Sequence, residues 1–174
     1  MPHSGNLSAL VRSSLFVSDL DRSRHFYQSI GLKNVYYEGG LDSASLSAAL
    51  HVPEGTVCRC CILRAEASPN FGMIGLFELT DPAPAIIHHP AGAPRIGEIA
   101  LVFYTRDLEC ALSSARDTGA SWLADPITFT MPHRSQREVC LRDPDGVLIN
   151  LVERDPAEVR DTRPALEIAA SLSN

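Results

Sequence analysis

The stretch at residues 12–32, RSSLFVSDLDRSRHFYQSIGL, returns in altered form at residues 100–120, ALVFYTRDLECALSSARDTGA. No other feature constrains the fold as tightly, because self-similarity at this scale implies a duplicated supersecondary unit. In the first copy Ser13, Leu15 and Val17 alternate with Arg12, Ser14 and Phe16, the period-two pattern of a strand. Asp19 then stands as a helix N-cap, and Leu20, Phe26, Tyr27 and Ile30 recur at near-helical spacing until Gly31 ends the run. Asp107-Leu108 and Gly119 keep the same offsets in the second copy. Each copy also closes on a similar strand, MIGLFELTDP at 73–82 and LINLVERDP at 148–156.

Between these landmarks the pattern predicts two modules. The first has a strand at 9–17, a helix at 20–30, and a strand at 33–38 broken by Gly39-Gly40. A short helical insert at 43–51 follows, ended by Pro53 and Gly55, then strands at 56–65 and 73–79 around a turn at 68–72. The second has a strand at 98–105, a helix at 107–118, and strands at 121–129, 136–141 and 147–153. Asp143-Pro144-Asp145-Gly146 reads as a tight turn, since Pro presets φ at the second position and Gly suits the fourth. The fold class is therefore α+β, built from two β-α-β-β-β modules at 7–80 and 98–154. The connection at 81–97 holds four of the twelve prolines and reads as an extended, semi-rigid linker. Residues 1–6 read as a loose terminus, and the tail at 155–174 shows a weakly helical stretch at 165–172.

Composition narrows the partners. The 174 residues are 45% hydrophobic and 21% charged, as in an ordinary globular protein with a sizeable core. A net charge of −6 argues against nucleic acid, which requires a basic face. No apolar run approaches the roughly 20 residues of a membrane span, and the N-terminus lacks the layout of an export signal, so a cytoplasmic location is expected. The five cysteines are odd in number, and Cys58, Cys60 and Cys61 do not have zinc-site spacing. They read as small core residues on a strand.

Val17-Ser18-Asp19-Leu20, Ser23 and Phe26-Tyr27 at the first helix start resemble the vicinal oxygen chelate superfamily. So do Arg142-Asp143-Pro144-Asp145-Gly146, Ile149 and Leu151 near the end, and the resemblance covers roughly residues 9–154. That superfamily includes glyoxalases, extradiol dioxygenases and bleomycin-resistance proteins. The resemblance implies that each module curls its sheet into half a barrel and that the halves enclose a cavity. It also implies two metal-ligand positions per module, one on the first strand and one on the last, usually filled by His, Glu or Gln. Carried onto this chain, those positions are Arg12 and Gly75, then Ala100 and Asn150. A guanidinium has no acceptor, Gly and Ala offer no ligating side chain, and Asn is weak. The expectation is therefore no bound metal and no cofactor. An alternative metal set would use Glu78 and Glu98, with the last strand of the first module read three residues later.

Alternation from the same anchors directs Arg12, Ser14 and Phe16 into the first half of the implied cavity, and Glu98, Val102 and Tyr104 into the second. Asn150 adds an amide, Gly75 leaves room, and His133 lies on a loop able to reach the cavity mouth. Arg12 suits a carboxylate, enolate or phosphate, and Glu98 or Tyr104 suits general acid–base work. Arg12, Glu98 and Tyr104 are thus the candidate catalytic residues, with Ser14, Phe16, Val102, His133 and Asn150 as candidate substrate contacts. A structural alternative pairs Arg12 with Glu98 inside the molecule. Two functions compete. One is a metal-independent lyase or isomerase moving a proton next to a carbonyl of a small molecule; the other is non-catalytic sequestration of a drug or metabolite. A homodimer is expected by resemblance, and because open sheet edges need covering.

Overall fold

The computed structural model describes residues 8–66, 70–87, 92–132 and 134–158. The chain divides into two compact units, Met1–His88 and His89–Asn174. The expected N-terminal and tail features, the 165–172 helix among them, lie outside the described residues.

The first unit contains β1 (Arg12–Phe16), α1 (Leu20–Ser29), β2 (Asn34–Leu41), α2 (Ser43–Leu50), β3 (Val57–Arg64) and β4 (Met73–Thr80). Its sheet runs β1-β4-β3-β2, with β1 parallel to β4 and the other pairs antiparallel. The second unit contains β5 (Ala100–Thr105), α3 (Leu108–Ala115), β6 (Ser121–Trp122), β7 (Ile127–Met131), β8 (Arg134–Arg142) and β9 (Leu148–Glu153). Its sheet runs β5-β9-β8, and β6 and β7 both pair with the far edge of β8. The duplication in the sequence is thus a duplication of topology.

The two helix starts match atom for atom. Asp19 accepts from the Arg22 N–H at 2.9 Å, and Asp107 accepts from the Cys110 N–H at 2.9 Å. A carboxylate from the last strand of each sheet then takes the first helical amide: Glu78 from Leu20 at 3.3 Å, Glu153 from Leu108 at 3.2 Å. Arg59 binds Glu78 at 2.9 Å and Asp21 at 3.0 Å, while Arg137 binds Glu153 at 3.4 Å and Glu109 at 2.6 Å. These contacts satisfy orphan helix amides and seat α1 and α3 on the Glu78 and Glu153 faces of their sheets. The LFE and LVE endings of β4 and β9 are therefore helix anchors.

Strand boundaries differ from expectation: β1 is shorter, Arg12–Phe16 against 9–17, and β8 longer, Arg134–Arg142 against 136–141, and three further differences bear on the packing. Strand β2 runs through Gly39-Gly40 to Leu41, paired with Cys60, Arg59 and Cys58 of β3, and an added Cβ at Gly39 would lie 2.9 Å from the Tyr37 hydroxyl. Glycine there admits a close side chain without ending the ladder. The single strand expected at 121–129 is two pieces, β6 and β7, interrupted at residues 123–126, where Pro126 brings no N–H to a ladder. Glu98 precedes β5, which begins at Ala100; its amide closes a turn onto the Arg95 carbonyl at 3.0 Å.

The modules differ on the sheet face away from the helix. In the first, Leu46 of α2 packs on Cys58, Cys60, Ile62, Met73, Phe77 and Leu79, so apolar side chains fill that face. Burial pushes the Cys60 thiol up to about 11, with Cys58 and Cys61 adding to it, and raises Cys58 and Cys61 as well. Thiolate, the reactive form, is scarce at these sites. Iodoacetamide at about pH 8 should therefore label exposed Cys110 in the native chain and reach Cys58, Cys60 and Cys61 only after unfolding. Peptide mapping of the labelled protein checks this.

Among the described residues, no helix is long and apolar enough to cross a membrane.

Candidate functional site

The second sheet carries its polar chemistry on the face opposite α3. Residues directly opposed across a ladder share a face. The register therefore places Tyr104 beside Val152 and Glu138, and Val102 beside Asn150 and Cys140. Along β8, RSQREVCLR, period two puts Arg134, Gln136, Glu138, Cys140 and Arg142 on this same face. The sequence RSQREVCLR alternates polar with mixed residues, which is the available signal for Arg134, Gln136 and Glu138. It is a weak one, because β8 also carries Arg137 on its helix side.

Glu138 organises the centre. Gln136 Nε2 donates to Glu138 Oε2 at 3.3 Å, and Asn150 Nδ2 donates to Glu138 Oε1 at 3.5 Å. A carboxylate takes amide NH₂ groups and repels amide oxygens, so it fixes which way both amides point. The consequence is that Gln136 Oε1 and Asn150 Oδ1 are buried and without hydrogen-bond partners, as are Arg134 Nε and Arg142 Nε. Buried polar atoms normally find partners, so orphans gathered on one sheet face mark a surface built for something else. Cys140, also on this face, has its thiol raised by burial and then by the Glu138 charge, so it stays protonated at neutral pH and is no ready nucleophile.

Tyr104 lies at the cationic end. Arg134 Nη1 donates to the Tyr104 hydroxyl at 3.3 Å, and its guanidinium lies 5.8 Å from the ring centroid. The Arg154 guanidinium lies 5.5 Å from the same centroid. Both distances are within reach of a cation–π interaction. Val102 is exposed beside Asn150.

Glu98 has an ion-pair partner within its own unit. Its carboxylate meets Arg142 Nη1 in an ion pair whose side chains are only 8% and 5% exposed, and Glu98 Oε2 also accepts the Arg95 N–H at 3.0 Å. Arg142 Nη1 donates in addition to the Gly146 carbonyl at 2.7 Å, tying the pair to the Asp143–Gly146 turn. The ion pair forms inside the second unit because β8 ends at Arg142 where the turn begins.

In the first unit Arg12, Ser14 and Phe16 share the face of Met73, Gly75 and Phe77. All three are exposed, and Arg12 has no ion-pair partner among the described residues. Gly75 does not leave room. A Cβ there would meet the Phe77 ring at 2.8 Å and the Arg12 stem at 3.5 Å. The Phe77 ring, 6.0 Å from that of Phe16, fills the place. Glu78 faces α1, away from Arg12, which removes it from any set on the open face. His133 lies outside the described residues.

A family model described as Glyoxalase/Bleomycin resistance protein/Dioxygenase superfamily matches residues 9–151. The chain belongs to the glyoxalase/bleomycin resistance protein/dioxygenase superfamily. Solved structures agree on the fold. A glyoxalase family protein from Bacillus cereus is 19% identical, with a TM-score of 0.73 over 86% of this chain and 96% of that one. A glyoxylase/bleomycin resistance protein/dioxygenase domain from Frankia is also 19% identical, with a TM-score of 0.54 over 87% and 96%. Glyoxalase I from Zea mays is 15% identical, with a TM-score of 0.54 over 84% of this chain and 44% of its own. No curated protein matches the chain.

Superfamily membership raises the question of a metal, and the residues do not fit one. Arg12 is a cation, Gly75 sits under a phenyl ring, Ala100 has no donor, and Asn150 offers only a neutral amide oxygen, a weak ligand. Among the described residues no cluster of three His, Cys, Asp or Glu side chains is placed to bind an ion.

Proposed function

We propose that this superfamily member is a metal-independent enzyme that moves a proton next to the carbonyl of a small organic molecule. The observation that carries the reading is the Tyr104 hydroxyl held by Arg134, with Arg154 over the same ring and Glu138 on the same sheet face. A guanidinium-backed phenol can donate to a carbonyl oxygen as charge develops there, which is how an enolate is stabilised without a Lewis acid. Glu138 supplies a carboxylate to take the proton. This reading keeps Tyr104, gives the anion-holding role of Arg12 to Arg134 and Arg154, and leaves Glu98 to its ion pair. The protein works in the cytoplasm as a homodimer; a sedimentation mass of one 18.9 kDa chain would contradict the dimer.

The test does not require the natural substrate to be identified. A set of small 2-oxo acids and ketones is incubated with the protein in D₂O, and deuterium entry next to the carbonyl is followed by proton NMR. Accelerated exchange by wild type, reduced about 10²-fold or more in Tyr104→Phe and Glu138→Gln, is the expected result. The fixed amides favour a second reading, in which the face only binds. Saturable binding of these compounds without any exchange would replace catalysis with sequestration.

A further inference from the structure

The orphaned amide oxygens and the two guanidiniums sit at different places on one face, and together they define a ligand. Resting on the reading that this face is the site, we infer that its ligand is a small zwitterion, with a carboxylate and an amino group in one molecule. The amino end is specified by Gln136 Oε1 and Asn150 Oδ1, which are buried, unpartnered and acceptors only. Glu138 turns both oxygens away from itself and adds a negative charge beside them. A cationic N–H donor satisfies the two acceptors and gains the Coulomb attraction; a neutral apolar group leaves them orphaned, at the usual cost of unpaired buried polar atoms.

The carboxylate end is specified by Arg134 and Arg154. Both are near the Tyr104 ring, and neither has a carboxylate partner among the described residues. Guanidinium forks suit planar carboxylates, and the Tyr104 hydroxyl adds a donor beside them. Three other arginines on this unit are already paired: Arg106 with Asp155, Arg137 with Glu109 and Glu153, Arg142 with Glu98. The span follows from the ladders. Tyr104 and Glu138 lie two strands apart in one row, about 9–10 Å at the backbone, and Arg134 lies two residues from Gln136, about 7 Å. Side chains converging over that distance accommodate a chain of a few carbons between the charged ends. In the first unit the corresponding face is filled by α2, so the amphoteric surface occurs on one module only.

Backbone amide shifts of the full-length chain provide the test, with 5-aminopentanoate as the probe and pentanoate and pentylamine as its single-ended controls. Saturable shifts at Gln136, Glu138, Asn150 and Tyr104 are expected, with the zwitterion binding roughly tenfold more tightly than either control. Arg134→Gln should erase its advantage over pentylamine, and Glu138→Gln its advantage over pentanoate. If pentanoate or pentylamine binds this face as tightly as the zwitterion, the ligand class is wrong while the site survives. If every probe shifts residues elsewhere, or none, both the class and the proposed site fall.

Discussion

Arg142→Ala is expected to destabilise the second unit by about 3–5 kcal/mol, the range for stripping one partner from a buried ion pair. The cost arises on both sides. Glu98 would be left as an almost fully buried carboxylate without its guanidinium, and the Gly146 carbonyl would lose its donor. Urea unfolding followed through Trp122 reports the change, because that residue is on β6, paired with the β8 end at Leu141. Removing both charges should be less harmful than removing one: Glu98→Leu/Arg142→Met leaves no unpaired buried charge, and well-packed apolar replacements of buried pairs are often neutral. A double variant as unstable as Arg142→Ala would mean that the pair contributes by geometry of the turn, not by charge compensation.

Gly75→Glu, which places a carboxylate at a position where the sequence resemblance implies a metal ligand, should destabilise the first unit. Any Cβ at this position falls 2.8 Å from a ring carbon of Phe77, and that ring is buried against α2 and its neighbours. Overpacking of this kind costs about 1–3 kcal/mol, and Gly75→Ala isolates it without the added charge. In a Phe77→Leu background the same alanine should cost less, since the branched side chain vacates the ring edge. Equal cost in both backgrounds, measured by denaturant midpoint, would show that the contact with Phe77 is not the reason glycine stands there. The position is thus closed by packing as well as by the absence of a ligating side chain.

The duplicated architecture is legible in the sequence because its signals are local and repeated. Asp19 and Asp107 cap helices, Gly31 follows α1, Gly119 closes the 3-10 turn that follows α3, and strand periodicity brackets both. The superfamily resemblance is read from the same stretches and from the Asp143–Gly146 turn, and the family model that matches residues 9–151 spans them. The site is less legible. Glu98 is readable as a strand-face carboxylate, but its partner Arg142 lies 44 residues away and doubles as the start of a turn motif. Gly75 looks like space, although a neighbouring ring at i+2 takes that space. Glu138, Gln136 and Arg134 escape notice because a polar residue on an alternating strand reads as solvated surface. Only the ladder register shows that Asn150 reaches the same carboxylate as Gln136.

Chemistry carried by Tyr104, Arg134 and Glu138 on one sheet face, without the usual metal, is tested most directly by elemental analysis. The purified full-length chain is equilibrated with iron(II), manganese(II), nickel(II) or zinc(II), then passed through gel filtration. No stoichiometric ion should be retained with any of the four, and Asn150→Ala should give the same result. One ion per chain, lost in Asn150→Ala, would contradict a metal-free site.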